Sequence, residues 1–159
     1  MKIRENGKWK WIFYLYLLII IRLIVLKYPY HELQRIAEGW RSDVVWEGLH
    51  SANFEFLKTI KMYIRYYSRL NSFENLFGNV LIFIPYGMLY PLAFSGKKAG
   101  LLFVPVTFLF VLGIELFQLL SAFGKFDVDD ILLNCVGALI GIIFMIAIPK
   151  IKCYSISRS

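Results

Sequence analysis

Cysteine is nearly absent from this sequence. The two that occur, Cys135 inside an apolar run and Cys153 in the tail, lie on different segments, offer no disulfide framework and read as small fillers. Histidine is as scarce, and His31 and His50 read as solvated connector residues. No nucleophile motif, internal repeat or low-complexity segment is visible. Acidic residues number 11 against 18 lysines and arginines, for a net charge of +7. That balance would suit nucleic acid, but the basic residues flank apolar runs instead of forming one continuous patch, so nucleic acid is not an expected partner. A secretory cleavage site is missing too: after Lys2, Arg4, Lys8 and Lys10 the first apolar stretch runs into Arg22, Lys27, Tyr28 and Pro29, which predicts an uncleaved anchor.

What the sequence has in abundance is apolar surface. A hydrophobic share of 58% and a mean hydropathy of +0.60 exceed what an ordinary soluble domain carries, which makes the bilayer the expected solvent. Four apolar stretches, near 9–28, 75–94, 100–121 and 130–149, are each long enough at about 20 residues to cross a hydrocarbon core of about 30 Å. The fold class expected is therefore all-α: one membrane domain over 1–159, a polytopic bundle of four transmembrane helices with a long connector at 29–74.

Orientation follows from charge. Positive residues in short flanks stay in the cytoplasm, which puts the N-terminus, the Lys97/Lys98 turn and the tail with Lys150, Lys152 and Arg158 on that side. The connector carries six basic and six acidic residues and can be exported. Within it, Phe56, Leu57, Ile60, Tyr63, Ile64, Tyr67 and Leu70 recur at helical spacing from Phe54 to Leu70. Lys58, Lys61, Arg65 and Arg69 fall on another face. This pattern predicts an amphipathic helix in the outer membrane interface, with membrane lipids as partners, ahead of a re-entrant or tilted segment packed on the spans and of a solvated loop helix. Asn71 and Glu74 resemble a capping box opening the second span, and Pro85 and Pro105 are expected to kink the second and third.

Polar residues inside the spans concentrate at one level. Arg22, Asn79, Glu115, Gln118 and Asn134 fall roughly 5–9 Å below the outer boundary at 1.5 Å per residue. Charge inside hydrocarbon is costly, so Arg22 and Glu115 are expected to face inward and pair. Faces agree with depths: Asn75 and Asn79 are four apart, Glu115 and Gln118 three apart, and Asp127, Asp130 and Asn134 follow i, i+3, i+7. That last stripe continues into Gly137 and Gly141, small residues that let another helix approach closely. Asp127 or Asp129 suits the N-cap of the fourth span. Two readings stay open, interhelical hydrogen-bond glue or an outward-opening pocket. No cofactor is expected. Carboxylate and amide oxygens would suit a divalent cation, although no spacing demands one.

The ordered set Asn75-Leu-Phe-Gly78-Asn79, Phe83-Ile-Pro85-Tyr-Gly87 with Pro91, Glu115-Leu-Phe-Gln118, and Phe126-Asp127-Val-Asp129-Asp130 with Asn134, Gly137 and Gly141 resembles the VanZ family. The stretch Asn53 to Ile60 resembles the short segment that precedes the set in many members. The resemblance implies a bacterial cytoplasmic-membrane protein that lowers susceptibility to glycopeptide antibiotics, teicoplanin in particular. It carries no catalytic residue. Where members commonly have an arginine before the Phe-Asp pair, this chain has Lys125, which keeps the charge but not the planar fork. Two functions are expected to compete. One is a non-enzymatic envelope factor whose polar pocket, including Lys125, meets a lipid-linked wall precursor or a lipoglycopeptide. The other is a membrane enzyme acting on a lipid head group, with Glu115, Asp127 or Asp130 as base and Arg22 or Lys125 stabilising negative charge. A channel is disfavoured, because the inner half is apolar apart from Thr107.

Overall fold

The computed structural model describes residues 7–24, 28–66, 72–94 and 96–147. Within them the chain is helical: α1 (Gly7–Ile24), α2 (Tyr30–Glu38), α3 (Ser42–Ser51), α4 (Lys58–Arg65), α5 (Ser72–Ala93), α6 (Lys97–Ser121) and α7 (Val128–Ala147). The apolar runs became helices within a few residues of the expected bounds. Three of them, α5, α6 and α7, are long and apolar enough to cross a membrane. The first, α1, has 18 residues but holds Lys8, Lys10 and Arg22 among them. Pro85 and Pro91 lie inside α5 and Pro105 inside α6, and both helices run on through them. Near Pro85, whose ring disturbs the preceding turn, the Tyr16 hydroxyl donates to the Ile82 carbonyl at 2.7 Å.

Two features of the connector differ from the sequence reading. The connector already holds two short helices, α2 and α3, ahead of Phe54, and the helix expected from Phe54 begins only at Lys58. Residues 54–57 form a turn because Leu57 takes a left-handed conformation (φ 64°, ψ 11°) that a helix cannot contain. At the other end Tyr66 (φ −111°, ψ 28°) stops α4. The expected cap at Asn71, the basic residue Arg69 and the C-terminal tail lie outside the described residues.

The packing that organises the bundle is between α5 and α7, which share the most extensive interhelical contact. They run in the same direction, with Gly137 against Val80 and Phe83 and Gly141 against Ile84 and Gly87. A methyl added at Gly87, Gly137 or Gly141 would overlap a backbone carbonyl of the facing helix, so these glycines permit a backbone-to-backbone approach. Helix α1 packs on α5 through a stripe that buries Phe13, Ile20 and Ile24. Helix α6 packs on α7 and meets α5 mainly through rings: Tyr86 stacks on Phe110 at 5.8 Å, and Tyr90 meets Phe103 edge-on at 4.9 Å. Large apolar side chains such as Leu15, Leu101, Leu109 and Ile143 remain exposed around this bundle, as lipid-facing side chains are.

Replacing Gly141 or Gly137 by leucine should push α5 and α7 apart, costing at least the ~1–3 kcal/mol of an overpacked core. Gly100, whose added methyl meets nothing, should accept alanine unchanged. Thermal unfolding of the detergent-solubilised variants measures both.

Candidate functional site

The turn between α6 and α7 is built around two aspartates with separate duties. Asp127 caps α7: its Oδ1 accepts the Asp129 backbone N–H at 2.8 Å. The same carboxylate receives the Asn53 side-chain amide at 2.8 Å and the Thr59 hydroxyl at 2.6 Å. Asn53 also donates to Thr59 at 3.0 Å, and its backbone pairs with Phe126 and Val128 (2.9 and 3.1 Å) in a short parallel bridge. Asp129 is completely buried and serves α4 instead of α7. Its oxygens accept the backbone N–H groups of Leu57 at 2.6 Å, Thr59 at 2.8 Å and Ile60 at 3.2 Å. These are the donors that the start of a helix leaves unsatisfied, and no side chain of the connector caps them. A buried carboxylate is tolerable only when so bonded, and the positive end of the α4 dipole adds to the effect.

Beside this latch lies a cavity of about 780 Å³. Helix α5 contributes Gly78, Asn79 and Ile82, α6 contributes Glu115, Gln118 and Leu119, the following turn Lys125 and Asp127, and α7 Asp130. The end of α1 adds Leu23 and Ile24, α3 adds Glu47 and Ser51, and α4 adds Tyr63. Glu115 is buried and accepts the Asp127 backbone N–H at 3.1 Å, which fixes the turn. Gln118 donates to the Ile24 carbonyl at 3.1 Å, satisfying an orphan acceptor at the end of α1. Asn79 donates to Asp130 at 2.7 Å across the α5–α7 contact. On the α5 and α6 walls, deeper than these residues, the chain is filled by Phe83, Tyr86, Phe103 and Phe110.

Six of the residues singled out by sequence, Asn79, Glu115, Gln118, Lys125, Asp127 and Asp130, thus line one cavity. Arg22 does not. It is exposed, while Glu115, its expected partner, is buried and bonds the turn backbone. The reason is helical phase: the face of α1 that packs holds Phe13, Ile20 and Ile24, and Arg22 lies on the opposite side, where a cation also suits the last turn. Asn134 is buried on the α7 face of Asp130, one turn deeper and outside the lining, and neither of its amide atoms meets a hydrogen-bond partner among the described residues. The Asn75 side chain lies outside the described residues. Lys58, Lys61 and Arg65 are exposed on α4.

Sequence reasoning missed Asn53, Thr59 and the role of Asp129, as well as Glu47, Ser51 and Tyr63 on the cavity wall. Those partners are some 70 residues apart in the chain, beyond any periodicity. The one available signal was the stretch from Asn53 to Ile60. Among the described residues, no group of three His, Cys, Asp or Glu is placed to hold a metal ion.

The family model described as VanZ/LLP1 matches residues 12–149. Protein VanZ of Enterococcus faecium is 34% identical over 79 residues, 48% of this chain and 47% of the relative, so the match spans about half the length of that curated protein. No solved structure matches.

Replacing Asp129 by asparagine puts an NH₂ against N–H donors, because both carboxylate oxygens are used. Each charge-assisted bond lost costs about 1.5–3 kcal/mol. Hydrogen exchange measured by mass spectrometry should rise at Leu57, Thr59 and Ile60, while exchange in α5 and the deeper turns of α7 stays slow.

Proposed function

We propose that this chain, which belongs to the VanZ/LLP1 family, is a non-enzymatic envelope factor of the bacterial cytoplasmic membrane that lowers susceptibility to glycopeptide antibiotics such as teicoplanin. The observation that carries this reading is the cavity of about 780 Å³ in which Asn79, Glu115, Gln118 and Asp130 from three different helices stand together. Polar groups at membrane depth are costly and mark sites where they meet one another or a ligand. The wall is mixed: apolar residues such as Leu23, Ile24, Ile82 and Leu119 stand beside the polar groups. Such a wall suits an amphiphile, either a lipid-linked wall precursor or a glycopeptide with an acyl chain. Its polar part would sit among the amides and acids.

Binding of this kind needs no chemistry. Asp127 has both oxygens engaged by Asn53, Thr59 and the Asp129 N–H, so it is a cap and anchor and not a poised base. In this reading α1 is the fourth span. At 18 residues it extends roughly 27 Å, and it packs along α5 through Phe13, Ile20 and Ile24. Four crossings place both termini and the Lys97/Lys98 turn in the cytoplasm, with the connector, the Lys125 turn and the cavity mouth on the outer side.

Expression should raise the teicoplanin concentration needed to inhibit growth, with a smaller effect on a glycopeptide lacking the acyl chain. Glu115→Gln keeps an oxygen for the Asp127 N–H and replaces the other by an amide NH₂, and Asn79→Ala removes an amide from the cavity together with its bond to Asp130. A lost hydrogen bond to a charged group is worth about 1.5–3 kcal/mol, about tenfold or more in affinity. Both variants should therefore lose most of the protection at unchanged membrane abundance. Retention of full protection by both would remove the cavity from the mechanism. Membrane sidedness is a separate matter, read with an impermeant thiol reagent on intact cells: Lys125→Cys should label and Lys98→Cys should not.

A further inference from the structure

The latch that fixes α4 also fixes its depth. Leu57, Thr59 and Ile60 bond to Asp129, which sits in the first turn of α7. Counted from that turn, α7 is 20 residues long, with a mean hydropathy of 2.3. Helix α4 is therefore held at the level where a membrane-crossing segment begins. Asn53 is tied to the same turn, and the next residue, Phe54, lies against Phe126 at 5.3 Å. Phe54 and Phe56 remain 62% exposed there, at the depth where aromatic rings suit the boundary between headgroups and acyl chains.

The faces of α4 are as informative as its depth. Thr59, Ile60 and Tyr63 are half-buried against the bundle. Lys58, Lys61 and Arg65 lie on the opposite face at i, i+3 and i+7, all exposed, and they form one basic stripe. Exposed Met62 and Ile64 flank that stripe on its two sides. Glu55 is the acid paired with this face, at 3.4 Å from Lys58. Three cations in a row between two apolar edges, held at the membrane boundary, match a layer of phosphates lying above acyl chains.

We infer that this face of α4 is a docking surface for anionic phospholipid, with Lys58, Lys61 and Arg65 on the phosphates and Ile64 and Met62 reaching the upper acyl chains. The surface is separate from the cavity and does not depend on what the cavity binds. Each cation near an anionic membrane surface contributes about fivefold to the preference for it.

The test uses the full chain in nanodiscs, with a fluorophore on Ile64→Cys in a Cys135→Ala, Cys153→Ala background. Brominated phosphatidylglycerol should quench the fluorophore several-fold more than brominated phosphatidylcholine at equal mole fraction. Lys58→Gln with Lys61→Gln and Arg65→Gln should abolish the preference, while Lys58→Arg with Lys61→Arg and Arg65→Lys should keep it. Equal quenching by the two lipids, or quenching by neither, overturns the inference. Loss of the preference on adding soluble glycerol phosphate overturns it as well, because the stripe would then recognise free phosphate and not a lipid surface. Since no antibiotic is present, the outcome is independent of the cavity's proposed role.

Discussion

Backbone contact between α5 and α7 is the constraint on which the rest of this structure depends. In lipid there is no hydrophobic gain from bringing two apolar helices together, so association rests on close packing and on hydrogen bonds between helices. Gly87, Gly137 and Gly141 remove the side chains that would hold the axes apart, and Val80, Ile84 and Ala138 present carbonyls directly to the facing glycines. Asn79 and Asp130 close the same seam near the starts of the two helices. Because the pair is parallel, the starts of both helices stand at one level, and the polar residues near those starts are brought together.

The cavity follows from how the other helices attach to that pair. Helix α1 lies on α5 and helix α6 on α7, while α5 and α6 touch little except through long aromatic side chains. In the deeper half those rings fill the space between α5 and α6. Toward the α6–α7 turn the facing positions are Gly78, Asn79 and Ile82 on one side and Glu115, Gln118 and Leu119 on the other, which leave it open. Ring size decides where the gap is filled, and the change from aromatic to small or polar residues decides where it opens. A cavity floored by those rings is a cup.

Much of this was legible in the sequence, for reasons that are local. Long apolar runs gave the helices to within a few residues, because a span is fixed by length and composition. The i, i+3, i+7 series of Asp127, Asp130 and Asn134 continuing into Gly137 and Gly141 identified the packed face of α7, because helical periodicity needs no tertiary knowledge. What was illegible is long-range or a matter of phase. The direction of Arg22 depends on which side of α1 meets α5, and an apolar helix with a weak stripe does not announce it. The division of the connector turns on one residue, Leu57, whose left-handed backbone is unfavourable by itself and is held by the acceptor that Asp129 supplies to its N–H.

The acidic turn shows why residue type alone misassigns function here. Asp127, Asp129 and Asp130 look alike in sequence, and any of them could serve as ligand, base or cap. The structure divides the work: Asp127 caps α7 and holds the connector, Asp129 caps α4 from another helix, and Asp130 closes the seam with Asn79 beside the cavity. The first two thus tie down the connector that carries Tyr63 on the cavity wall. Glu115 also holds the turn, since one of its oxygens accepts the Asp127 N–H, a bond that glutamine can keep. Its carboxylate thus belongs at once to the turn and to the cavity wall.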